Sequence, residues 1–375
     1  MFFTNNRYPG SALLMAIFIS VMIALFMLLL IQVKKSSIEV AQRAISFFDL
    51  MHLHDEFIGA NHTDEWNHQF VEALRDKGYE VQLQSRSHGL WLITKLSIRR
   101  GDEEENRTYL LVPNETGGKN SLEIRDNNRI IDVGYGMKGH GPILVPKGKV
   151  NPHKPDVYFD SEALQLMSSS AYTVPLDSHA LEVYNHLNNS SKLGFITVDD
   201  TLPPFDTIRA ETVHVESSGF LQHNLIIADS VYIQGNAGCA QFLVRSLEMD
   251  SESSLKYPSF IFSMTDTISA IQFRQNTDFR GYVYAYGYNH LIEKPQLTFY
   301  ENSHFLGEFF TNGSVVKYGN SYWEGRFRLN DIHKINQQGK LYVLDSLTLN
   351  EKNIFQGPYI SLGTEGYKVV WYGKS

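Results

Sequence analysis

The sequence predicts a mainly β protein carried on an N-terminal transmembrane helix, with a parallel β-helix-like domain in its C-terminal half. Three observations lead there: an uncharged apolar run near the start, short alternating or β-branched stretches after residue 79, and glycines recurring every six residues between Gly307 and Gly325. An antiparallel β-sandwich of short strands is the alternative for that last region. The 375 residues leave room for two folded units beyond the membrane segment. Five segments follow in order: a leader-like segment at 1–10, the transmembrane helix at 11–33, extramembrane helices at 34–78, a strand-rich α+β domain at 79–204, and the β-helix-like domain at 205–375.

Composition narrows the function classes. Hydrophobic residues make up 43% of the chain, with 23 Phe and 20 Tyr among them, which supplies a core and excludes a disordered chain. Lysine and arginine number 33 against 41 acids, and the net charge of −8 lacks the basic excess that phosphate binding needs, so nucleic acid is excluded as a partner. Cys239 is the single cysteine and can form neither an internal disulfide nor a cysteine-rich zinc site.

From Ser11 to Ile31 there is no charged residue, and Ser11 and Ser20 are the polar side chains. At about 1.5 Å per residue this crosses a hydrocarbon core of about 30 Å. The run is longer than a signal peptide's apolar stretch and ends in Gln32-Val33-Lys34-Lys35, so it reads as a retained anchor in membrane lipid. Ile38, Ala41, Ile45 and Phe48 then recur at helical steps, which extends the helix outward to about Phe57. A second helix is expected from Asp64 to Lys77, with Thr63 as N-cap, an apolar face of Trp66, Phe70, Val71 and Leu74, and Gly78 as its stop.

The leader Arg7-Tyr8-Pro9-Gly10 followed by Ser11-Ala12-Leu13-Leu14 and the apolar run resembles the type IV pilin and pseudopilin plan. That resemblance implies leader-peptidase cleavage between Gly10 and Ser11, an inner-membrane single-pass location with the body periplasmic or surface-exposed, and other pilin-like subunits or self-association as partners. Most pilins carry glutamate at the fifth mature position, and Met15 stands there instead, so the likeness is to the minor class.

Strands are expected at Tyr79 to Leu83, Leu90 to Ile98 and Tyr109 to Val112, and a weak helical pattern from Asp160 to Ser190. Ser87-His88-Gly89-Leu90-Trp91, the strand-turn-strand stretch Leu122 to Gly134, and Ile143-Leu144-Val145-Pro146-Lys147-Gly148 resemble a group of uncharacterised pilin-like envelope proteins, which implies architecture and no activity.

In the C-terminal half, Gly307, Gly313, Gly319 and Gly325 keep a six-residue step, one side of a three-sided β-helix coil. The apolar pair Val213/Val215 recurs as Val231/Ile233 after eighteen residues and as Leu247/Met249 after sixteen. Tyr282, Tyr284, Tyr286 and Tyr288 alternate at strand spacing and form a candidate aromatic interaction surface if outward, or a rung stack if inward. This pattern resembles polymer-forming domains of the bactofilin type.

No catalytic, cofactor or metal site is expected. Gly134-Tyr135-Gly136-Met137-Lys138-Gly139 matches GxGxxG, but a phosphate-binding turn must open a helix, and His140-Gly141-Pro142 leads into another extended stretch. His52, His54, Asp55 and His62 read as a solvated juxtamembrane face, because side chains two apart on a helix diverge. The carboxylate pairs Asp199-Asp200, Asp156 with Asp160, and Asp266 with Asp278 read as turn acids. The expected function is therefore assembly within a bacterial envelope, as a minor pilin-like component of a pilus or secretion system and without enzymatic activity. The alternative is an anchored carbohydrate-binding or carbohydrate-active β-helix that stacks its aromatics on sugar rings.

Overall fold

A computed structural model describes residues 9–89, 91–113, 122–124, 131–133, 138–139, 143–146, 150–152, 158–159, 164–167, 193–265, 270–287, 295–336, 339–341, 343–344, 347–350 and 367–374. The chain begins with helix α1, Pro9–Gly59, in which Pro9 takes the first-turn position where a missing N–H costs nothing. Helix α2, Asp64–Asp76, is capped as its sequence requires: the Thr63 hydroxyl accepts from the Trp66 N–H at 3.0 Å. Gly78 follows at φ 82° and turns the chain into the sheet.

That sheet is antiparallel and four-stranded. Strands β1 (Glu80–His88), β2 (Trp91–Arg100) and β3 (Glu103–Pro113) form a meander, and the C-terminal strand Tyr367–Lys374 pairs with β3. Alternation along the strands sends Val81, Leu96, Ile98, Tyr109 and Leu111 to one face, where Leu50, Leu53 and Phe57 of α1 and Phe70 and Leu74 of α2 cover them. Trp91, Ile93 and Leu110 go to the other face and meet the second unit.

The second unit is a parallel β-helix, so the sandwich alternative is set aside. Strands Thr207–Val215, Leu221–Ile233, Gly238–Met249, Ser254–Thr265, Asp278–Gly287, Ser303–Thr311 and Ser321–Leu329 each lie parallel to the next. One interior column runs Val213, Val231, Leu247, Ile271, Leu297, Val315, all buried and each paired to the next. The repeats of Val213/Val215 at Val231/Ile233 and Leu247/Met249 are thus true rung partners. In the later coils the filling turns aromatic: Phe273 stacks on Phe299 at 4.8 Å, Phe279 on Phe305 at 4.9 Å, and Phe309 packs on Phe327 at 4.8 Å.

The glycine hexads mark the corners of one coil. Gly281, Gly307 and Gly325 are rung partners at one bend, with φ of 150°, 141° and 129°. A Cβ on Gly307 would lie 1.9 Å from the Gly281 carbonyl oxygen, so the stacked backbones leave no room for a side chain.

Two expectations differ from the structure. Leu164–Met167, read as part of a helical pattern, is a strand parallel to Ile143–Pro146. A short apolar run has no period long enough to separate a buried strand from a helix turn. The rest of 160–190 lies outside the described residues. The boundary placed at 204/205 falls inside the solenoid, since Leu193–Val198 pairs with Thr207–Val215. The solenoid also takes in earlier chain: Leu122 pairs with Phe327, Ile143 with Leu122, and Leu164 with Ile143. The chain therefore enters the stack beside its last coil, and the coils from 193 onward fill in below.

Candidate functional site

Helix α1 is the feature most exposed for its chemistry. Apolar side chains from Leu13 to Val33 are open to at least half of their surface, and the helix is long and apolar enough to cross a bilayer. Ser20, midway along the apolar run, bonds back to the Ala16 carbonyl at 2.8 Å and so needs no outside partner. Gly10 and Ser11 lie in its first turns.

Exposure continues past the apolar run. Ile38, Ile45 and Phe48 are 48%, 63% and 69% exposed, and the first buried residue of α1 is Leu50. A helical step of about 100° per residue places Ala41 and Phe48 roughly opposite Leu50, Leu53 and Phe57, and Ile38 and Ile45 on the flank between them. The body therefore leaves this stripe uncovered, with Phe48 turned directly away from it. The polar side faces it, through Arg43 near Glu103 at 3.8 Å and Arg100 near Asp49 at 3.3 Å.

The mount of α1 contains what the histidine cluster became. His52 is exposed, whereas His54 and His62 are fully buried, which corrects the solvated reading. The physical reason is the sheet: Tyr109 rises from β3 to bond His54 Nδ1, and Phe57 packs on His62 with ring centres 4.2 Å apart. His62 Nδ1 meets Asn67 Oδ1 at 3.1 Å. Burial lowers both imidazoles below their ordinary range, His54 to about 4. The Nε2 atoms of both rings are buried without a hydrogen-bond partner.

The tyrosine ladder points out of the solenoid, since Val283 and Ala285 fill its interior. It is nevertheless covered: Tyr282 and Tyr284 pack with Phe260 and Phe262 against Trp91, Ile93 and Leu110 of the sheet. Tyr284 stacks on Phe262 at 5.2 Å and Tyr282 shares a 3.1 Å hydroxyl contact with Tyr257. Tyr286 is partly buried beside them, and Tyr288 lies outside the described residues. The ladder's interaction is with this chain's own sheet, which leaves Tyr282 and Tyr284 closed to a sugar ring.

Other candidates resolve simply. Lys138 and Gly139 form a short strand paired with Thr348 and Leu349, so no helix opens there; Gly134, Gly136 and the rest of the motif lie outside the described residues. Asp200 accepts from the Thr201 N–H at 2.7 Å, as a turn acid does. Asp278 pairs with Arg280 at 2.8 Å and faces His304 Nδ1 at 3.5 Å, while Asp156, Asp160 and Asp266 lie outside the described residues. Among the described residues no three His, Cys, Asp or Glu side chains converge as metal ligands.

One pair escaped the sequence. Cys239 Sγ lies 3.3 Å from His223 Nδ1, and His88 Nε2 donates to the His223 carbonyl at 3.0 Å. Burial pushes the thiol up and lowers His223 to about 4, so the pair is a neutral thiol and imidazole and no thiolate nucleophile at neutral pH. The sixteen-residue repeat of Val231 to Leu247 brings 223 near 239, but the ladder pairs Cys239 with Gln222 and a bulge holds His223, which no repeat shows. No protein-family model, curated protein or solved structure matches this chain.

Proposed function

We propose that this chain is a single-pass, membrane-anchored structural protein of the bacterial cell envelope that assembles through α1, as a minor pilin-like component of a pilus or secretion system. The observation that carries this reading is the uncovered apolar surface of α1. It runs from the anchor through Phe48, and the body leaves it uncovered. Water-exposed apolar stripes of this length are costly unless another surface covers them. A helix with apolar surface that its own body leaves uncovered suits a position among like helices, with bodies outside. Near its lipid-facing part, Phe18, Met22, Phe26 and Leu30 line a shallow groove of the kind that receives ridges of a second helix.

The test is cysteine cross-linking of the full chain in native membranes, in a Cys239→Ser background. Ile45→Cys and Phe48→Cys should form cross-links between copies or to a partner helix, and Glu39→Cys on the polar side should not. Equal labelling with no cross-link at Ile45 and Phe48 would overturn assembly through α1. Mass spectrometry of the wild-type N-terminus should find Ser11 first, and Gly10→Trp should leave the precursor uncut. A mature chain beginning at Met1 removes the pilin-like part and leaves a plain anchor.

A further inference from the structure

The join between α1 and the body is made of an unusual pair of side chains. His54 and His62 approach Phe57 and Tyr109 from different elements, and together they help close the core that holds Leu50, Leu53 and Phe57 on the sheet. Each ring has one side-chain partner, the Tyr109 hydroxyl for His54 and the Asn67 amide oxygen for His62, and a backbone carbonyl nearby, that of Glu105 for His54 and of Phe57 for His62. Each has a second nitrogen, Nε2, buried with nothing to bond. A neutral imidazole tolerates this by leaving its lone pair unused, but an imidazolium carries two N–H donors and needs two acceptors.

We infer that this join is an acid-sensitive clasp: protonation of His54 and His62 releases α1 from the sheet.

The surrounding charges do not rescue the cation. Around His54 stand Asp55 on its own helix, exposed, and the buried Glu105 and Arg107 of β3, paired to each other at 3.3 Å. Glu105 and Asp55 favour a charged ring and Arg107 opposes it, with burial outweighing all three. Around His62 stand Asn67 and Trp66 of α2 and the Phe57 ring, none of them charged. The carbonyls of Glu105 and Phe57 favour the cation as backbone acceptors, but burial outweighs them. The solenoid carries buried histidines as well, among them His223, which burial also lowers to about 4, so the join is told apart from it by which segment opens and by which histidines are replaced.

The clasp is a property of the body's own join and does not depend on whether α1 assembles. Amide hydrogen exchange on the full chain in detergent micelles, followed between about pH 7 and about pH 4, tests it. Residues 50–59 and 64–76 should lose protection. In the His54→Gln/His62→Gln variant the loss should move to lower pH by at least about one unit. If the double variant opens at the wild-type pH, acid acts through carboxylates and the clasp is wrong. If the variant does not fold, side-chain NMR of the wild-type histidines decides the matter. Two rings should stay neutral until protection is lost, and two rings titrating near their ordinary range with α1 still protected would overturn the inference.

Discussion

A methyl group on Gly307 would sit 1.9 Å from the Gly281 carbonyl oxygen, and the atom in the way is backbone of the neighbouring rung. Gly307→Ala must therefore push two coils apart as well as strain a φ of 141°. It should cost about 3 kcal/mol or more by denaturant unfolding, whereas Gly194→Ala, with nothing within 4 Å of its added carbon, should be within about 0.5 kcal/mol of wild type. Equal stabilities would show that the corner can relax. His54 sets the other residue-scale quantity. Its folded value of about 4 lies below the ordinary 6.5, so the released state takes the proton first. The closed join keeps its full stability above about pH 6.5, loses it as pH falls toward about 4, and the total loss from His54 is about 3 kcal/mol.

Among elements, the decisive contact is sheet on solenoid. Trp91 is 2% exposed and Phe262 is fully buried within one cluster that spans both units. Trp91→Ala should cost about 3–5 kcal/mol and loosen that docking. Proteolysis should then cut between β3 and the solenoid in the variant and spare the wild type. How much of this was legible follows from range. The register of Val213, Val231 and Leu247 could be read because an interior column repeats locally, and Thr63 and Gly78 announced α2 because caps are local chemistry. The alternation of Tyr282 and Tyr284 identified a strand, but its cover could not be read, since Trp91, Ile93 and Leu110 come from a distant stretch of chain. His54 was misjudged for the same reason: a helix position alone does not say which sheet will close over it.

For the whole molecule, the C-terminal strand is the tie between beginning and end. Tyr367–Lys374 pairs along β3, and Val369 packs against the core that mounts α1. A chain stopped after residue 366 would leave β3 as an open edge, which should lower the unfolding midpoint and produce aggregation visible by light scattering. A monodisperse truncated chain with unchanged melting would show that strand to be dispensable.

Because Leu122 rests on Phe327, the ribosome delivers the upper storeys of the tower before the floors that must carry them. The stack cannot lengthen coil by coil as the polypeptide emerges. Its early segment has to wait, extended and greasy, until the late one arrives, and such distant pairings are slow to form. A nascent molecule of this kind would call on holding chaperones for longer than a solenoid wound in simple order.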